Sequence, residues 1–270
     1  MSSPTTRKAR PSEKPGGALS VDDFLGGRIS VEQRRKGYRA GSDAVFLAAA
    51  VPALAKQRVL DAGAGVGAAG LCLLARSPAA QVTAVEIDAE TCALAESNAA
   101  RNGFADRFEA IHTDVTALAK VLRAAGLPPE SFDHVIANPP FHAEGEVREA
   151  SEPVRAAAHV MARGGFAAWL RFLAAMTAPK GWLTLIHRPE CLPELLTLLE
   201  GRFGDLAVFP LFPKANKPAS RIIVQGRKGN RAPIRLLTGL VLHQADGTYT
   251  PAAEAVLREG EALDLGRVKK

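Results

Sequence analysis

The chain has few of the residues on which metal, disulfide or membrane chemistry depends. Of its 270 residues, three are cysteine, two tryptophan and two tryptophan-like in scarcity, tyrosine; aromatics make up only 6%. Cys72, Cys92 and Cys191 are odd in number and lack ligand spacing. That excludes a disulfide framework and points to idle thiols in a reducing cytoplasm. The six histidines are scattered and form no metal motif, so no obligate metal is expected. No apolar run approaches the ~20 residues needed to span a bilayer, so no membrane partner is expected either. The start, Met1 to Ala18, is polar, basic and rich in proline and glycine, without the apolar centre of a secretory signal. Residues 1–19 read as a disordered basic arm. Residues 20–270, in a chain that is 47% hydrophobic, read as a single domain with an N-terminal cap segment and a short C-terminal extension. No internal repeat is present.

What is there is an alternation of strand-like and helix-like segments. A helix start at Ser42 or Asp43 is followed by strands ending near Leu60, Ile87, His112 and Ala137, each with a helical pattern behind it. Such spacing predicts βαβ units and a doubly wound, Rossmann-like α/β sheet of seven mostly parallel strands. Late in the chain, Leu206 to Phe212 and Arg221 to Gly226 have no long helix between them. They predict a hairpin, and hence an antiparallel strand near the sheet edge. The tail, Ile234 to His243 and then Pro251 to Arg258, reads as a strand and a short helix.

In open α/β sheets ligands sit at the carboxyl ends of the strands, and those ends carry an ordered set of polar residues. Asp61-Ala-Gly63-Ala-Gly65-Val-Gly67-Ala-Ala-Gly70 lies between a strand and a helix, where glycines let the backbone approach a bulky cofactor. In the register starting at Gly65 the string fits a nicotinamide dinucleotide fingerprint. In the register Asp61-x-Gly63-x-Gly65-x-Gly67 it fits the first motif of methyltransferases that use S-adenosylmethionine. Glu86 ends the next strand, where a carboxylate can hold ribose hydroxyls in either class, and Asp88 suits a helix cap. Asp114 follows the third strand, either as a cap for a helix from Val115 to Ala125 or as a reader of the cofactor's adenine.

The fourth strand, Phe132 to Ala137, delivers Asn138-Pro139-Pro140-Phe141. Two prolines after a strand forbid both helix and further pairing, so the turn is stiff and extended. It presents an amide, a carbonyl with no adjacent N–H and an aromatic ring, which suits gripping a planar amino group and stacking on its ring system. Accepting the two amine hydrogens on the Asn138 oxygen and the Pro139 carbonyl would draw the nitrogen toward tetrahedral geometry. Phe141 would stack on a flipped or single-stranded base. His142 follows in the same loop and reads more simply as a solvated residue, and 143–161 is long enough to form a lid.

Taken together, these motifs resemble a class I S-adenosylmethionine-dependent methyltransferase of the amino-methylating kind, whose signature is Asn/Asp-Pro-Pro-Tyr/Phe. More narrowly, the chain is similar to the bacterial family that methylates N6 of adenine 37 in a valine tRNA. The resemblance covers roughly Asp22 to Leu257 and includes Gly37-Tyr38-Arg39-Ala40-Gly41-Ser42-Asp43-Ala44-Val45, which is similar to that family's N-terminal signature. It implies S-adenosylmethionine as cofactor, held by Asp61, Gly63, Gly65, Gly67, Glu86 and Asp114, with Ser42 and Asp43 closing over it. It implies Asn138, Pro139, Pro140 and Phe141 as catalytic residues and RNA, most simply a tRNA beside its anticodon, as substrate.

The formal charge of +6 is unevenly placed. Between Gly201 and Arg235, Asp205 is the one acid among many cations, and Lys214, Lys217 and Arg221 lie in or beside the expected late turn. A second basic group, Arg34, Arg35, Lys36 and Arg39, precedes Ser42. Cationic loops around a cleft would attract a polyanion, so Lys214, Lys217, Arg221, Arg35 and Lys36 are expected RNA contacts. Related enzymes act on ribosomal RNA, DNA or a protein glutamine, whose amide is also a planar NH2; the basic loops and the lack of a separate N-terminal helical domain argue against the glutamine. A nicotinamide dehydrogenase leaves Asn-Pro-Pro-Phe unexplained, and an inactive RNA-binding module leaves its intact motifs unexplained.

Overall fold

A computed structural model of the chain describes residues 18–52, 56–140 and 165–266. Five strands run parallel: β3 (Arg58–Ala62), β4 (Gln81–Glu86), β5 (Phe108–His112), β6 (Phe132–Ala137) and β7 (Thr177–His187). Then β9 (Arg221–Lys228) pairs antiparallel with β7 on one side and with β8 (Phe203–Lys214) on the other. The order is β5-β4-β3-β6-β7-β9-β8, the mostly parallel sheet with one reversed strand expected from the sequence. Two short strands, β10 (Arg235–Leu236) and β11 (Leu240–His243), extend it beyond β8 to nine. The tail thus contributes two strands rather than one.

The strands are apolar on both faces because helices cover both. Val59 and Ile136 pack with Phe46 and Leu47 of α1 (Ser42–Ala50) and Leu71 and Leu73 of α2 (Ala68–Arg76). Leu60 and Val135, their neighbours in the chain, point the other way into Trp169, Leu170 and Leu173 of α5 (Phe166–Met176). Between these lie α3 (Ala89–Arg101) and α4 (Ala119–Ala124); α6 (Leu192–Leu199) and α7 (Pro251–Glu254) follow. Asp88 caps α3 as expected, accepting from the Thr91 N–H at 2.9 Å. Asp114 caps no helix, because α4 begins only at Ala119; its Oδ1 accepts from Thr116 N–H and Oγ1 at 2.7 and 2.8 Å in a local turn.

The cap segment contains a hairpin that the sequence reading did not anticipate: β1 (Leu19–Phe24) and β2 (Ile29–Arg34). The outer edge of β2 is occupied by side-chain amides of α3 and of its C-cap residue, Asn102. Asn98 accepts from Glu32 N–H at 2.8 Å and donates to Glu32 C=O at 2.9 Å; Asn102 makes the same pair with Ser30 at 2.9 and 2.8 Å. An amide offers both a donor and an acceptor, so two of them, one helical turn apart, stand in for a neighbouring strand. Asn98 also donates to Val66 C=O at 3.1 Å, joining the hairpin to the glycine-rich loop.

Candidate active site at the carboxyl edge of the sheet

The turn after β3 shows why its glycines are there. Gly63 has φ +66°, and a Cβ on it would lie 2.4 Å from the Trp169 ring, so it is filled by protein from behind. Gly65 has φ +56° and nothing within 4 Å of where its Cβ would be. The turn is therefore packed on one side and open on the other, with backbone free to meet a ligand closely. Gly67 N-caps α2 in the left-handed conformation and packs against Phe108.

Three acids expected to hold the cofactor face this turn or its neighbours. Asp61 is buried, and its Oδ2 accepts from Gly70 N–H at 3.1 Å inside α2. Burial raises its carboxyl from 3.8 to about 7, opposed by the Gly70 hydrogen bond and reinforced by the Glu86 charge. Glu86 spans the gap between strand ends: Oε2 accepts from Gly65 N–H at 2.9 Å, Oε1 from Ile87 and Asp88 N–H at 2.9 and 3.0 Å. A carboxylate has about four acceptor sites. With three in use, one ribose hydroxyl can be taken directly, and a two-hydroxyl grip requires one of these N–H groups to let go. Asp114 uses only Oδ1 in its turn, and Oδ2 has no hydrogen bond among the described residues.

On the β6 side the arrangement differs. Asn138 Nδ2 donates to Tyr38 Oη at 3.0 Å, while Oδ1 is buried and unpartnered among the described residues. Pro139 beside it is buried and Pro140 partly so. Phe141, His142 and the expected lid at 143–161 lie outside the described residues. Ser42 opens α1, and Asp43 accepts from Arg221 Nε at 2.7 Å. Arg221 starts β9 beside His187, the last residue of β7, so the pair bridges α1 to the same edge. Burial lowers the His187 imidazole to about 4, which keeps the ring neutral against Phe166 near pH 7.

The expected cationic contacts are unequal. Lys214 donates to Ala245 C=O at 3.1 Å with its ammonium at the surface, and Lys217 is exposed in the β8–β9 turn. Arg221 is largely engaged by Asp43, so it fastens the site more than it offers itself to phosphate. Of the earlier basic group, Arg34 pairs with Asp88 and Glu90 and Arg39 with Asp22, which removes them as free phosphate contacts. Arg35 donates to Leu19 C=O and lines, with Lys36, Glu90 and Leu94, a shallow cleft of about 670 Å³ beside the start of α3. Two flanks of the edge thus carry positive charge. Sequence reasoning quoted Tyr38 within the N-terminal signature but gave it no role, and it missed Trp169 behind Gly63.

Residues 39–174 match the model of the methyltransferase small domain family. The chain belongs to that family. It is 30% identical over 228 residues to the tRNA1(Val) (adenine(37)-N6)-methyltransferase of Shewanella sp. strain MR-4, covering 83% of this chain and 92% of the relative. An Aeromonas hydrophila protein with the same name is 29% identical over 83% of this chain and 90% of its own. Among solved structures, a predicted O-methyltransferase from Agrobacterium tumefaciens superposes with a TM-score of 0.69 at 31% identity, over 82% of this chain and 98% of that one. This member of the methyltransferase small domain family is an S-adenosylmethionine-dependent methyltransferase, and the nicotinamide register of its glycines is excluded. The open face at Gly65, beside Glu86 at the end of the next strand, fits that cofactor. Among the described residues no group of His, Cys, Asp and Glu could hold a metal ion, and no helix is long and apolar enough to cross a membrane.

Proposed function

We propose that the protein methylates the exocyclic N6 of an adenine in RNA, most simply a tRNA beside its anticodon. The observation that carries this reading is the buried, unpartnered Oδ1 of Asn138 at the end of β6. A buried acceptor without a donor costs roughly 1–3 kcal/mol, which a substrate N–H would recover. The cofactor supplies an electrophilic methyl group. The chain's task is to align an amine with it and to favour a tetrahedral nitrogen. Asn138 Oδ1 and the Pro139 carbonyl would take the two amine hydrogens, and Phe141 would stack on the base. Asp61, Gly63, Gly65, Gly67, Glu86 and Asp114 would hold the cofactor, with Ser42 and Asp43 above it. Lys214 and Lys217 on one flank and Arg35 and Lys36 on the other would follow the phosphates. The names of the Shewanella and Aeromonas relatives support a tRNA adenine over a ribosomal RNA or a protein glutamine.

The substrate class is tested by incubating the protein with labelled cofactor and either total RNA or a nuclease-treated protein extract. Label in the RNA fraction that nuclease releases is expected. Label that resists nuclease and yields to protease would transfer the reading to a glutamine amide.

A further inference from the structure

An asparagine can grip an amine only if its oxygen, not its nitrogen, faces the substrate. The two ends of the amide are nearly the same size, so packing alone does not choose between them. The structure contains a group able to choose. Tyr38 Oη lies 3.0 Å from Asn138 Nδ2, across 100 residues of sequence, and the opposite end of the amide is the buried, unpartnered Oδ1.

The loop that carries Tyr38 is pinned just after it, at Arg39 and Ala40. Gln33, buried at the end of β2, accepts from Ala40 N–H at 2.8 Å and donates to Ala40 C=O at 3.3 Å. Arg39 pairs with Asp22 and donates to Arg34 C=O at 2.9 Å and to Ser20 Oγ at 2.9 Å. A phenol can donate or accept, so its own proton matters. Burial raises the Tyr38 hydroxyl to about 12, with the Asp43 charge adding to the shift and Arg221 opposing it. The ring as a whole is 59% exposed. With Nδ2 donating, the hydroxyl oxygen is the acceptor, and the Asp43 charge favours a hydroxyl hydrogen turned away from Asn138.

We propose that Tyr38 is a positioning residue: by accepting from Asn138 Nδ2, it turns the amide so that Oδ1 meets the substrate amine. The inference rests on the reading of Asn138 as the amine acceptor. Tyr38→Phe keeps the ring and removes only the hydroxyl. It should lower kcat about tenfold, as loss of one neutral hydrogen bond does, with KM for RNA, cofactor Kd and melting temperature near wild type. In an Asn138→Asp background, where either end of the side chain presents oxygen, the same substitution should change kcat less than about twofold. Independently of turnover, the side-chain amide resonance of Asn138, assigned by its loss in Asn138→Ala, should move in Tyr38→Phe. An unmoved resonance or a wild-type kcat in Tyr38→Phe would overturn the proposal; so would an equal defect in the Asn138→Asp background, which would make Tyr38 a packing residue. If Asn138→Ala itself turns over normally, the parent reading fails instead.

Discussion

Along the carboxyl edge of the sheet, the half built from β3, β4 and β5 closes its acids onto its own backbone, whereas the β6 half leaves a buried acceptor open. Asp61 takes Gly70 N–H, Glu86 takes Gly65 N–H and Asp114 takes Thr116 N–H. Asn138 Oδ1 takes nothing among the described residues. The difference is one of task. On the proposed reading, the first half would shape a turn around a cofactor, its acids holding that turn before any ligand arrives. The second would leave its acceptor free for a visiting substrate, at a standing desolvation cost.

The largest effect that would sharpen this contrast is expected at Asn138. Asn138→Ala removes an acceptor whose value rises as the amine becomes tetrahedral, so kcat should fall about 10² or more while KM for RNA moves little. A rise in KM alone would place the residue in ground-state binding. On the other half, Glu86→Ala removes both a ribose acceptor and the brace on Gly65, and calorimetry should show cofactor Kd raised about 10- to 100-fold. Unchanged affinity would mean that Glu86 serves the turn only.

Smaller effects separate shape from charge. Gly63→Ala brings a Cβ against Trp169 at a positive φ and should destabilise the fold by about 1–3 kcal/mol in denaturant melts. Asp61, raised from 3.8 to about 7, favours folding in its protonated form. Its contribution is therefore full below about pH 4 and is lost as pH rises toward 7. Asp61→Asn, which keeps an acceptor for Gly70 N–H, should gain stability relative to wild type across that window and hold a constant lead above it. A gap that closes with rising pH would contradict the raised pKa. The smallest effect is on salt dependence: neutralising Lys214 and Lys217 should flatten the log–log slope of RNA binding by up to ~2 and leave cofactor affinity unchanged. A slope equal to wild type would assign these lysines to solvent alone.

Much of this was legible in the chain because its signals are local. Strand ends, glycine spacing and the Asp88 cap each depend on residues a few positions apart, and they put Asp61, Glu86, Asp114 and Asn138 on one edge. What was not legible depends on distant partners. The β1–β2 hairpin is short and polar, and its free edge is satisfied by Asn98 and Asn102 from a helix far along the chain. Gln33, buried where alternation calls for an apolar residue, hides the strand further. The basic group before Ser42 reads as free charge, yet Arg34 and Arg39 are spent on acids of other segments. Tyr38 gains meaning only from Asn138.

The central claim is that Asn138 is an amino-group clamp, and the identity of the methylated atom tests it most directly. RNA modified by the wild-type protein, digested to nucleosides and separated by mass spectrometry against standards, should contain N6-methyladenosine as the new product. A methyl group on a ribose oxygen or on a ring carbon would contradict the account.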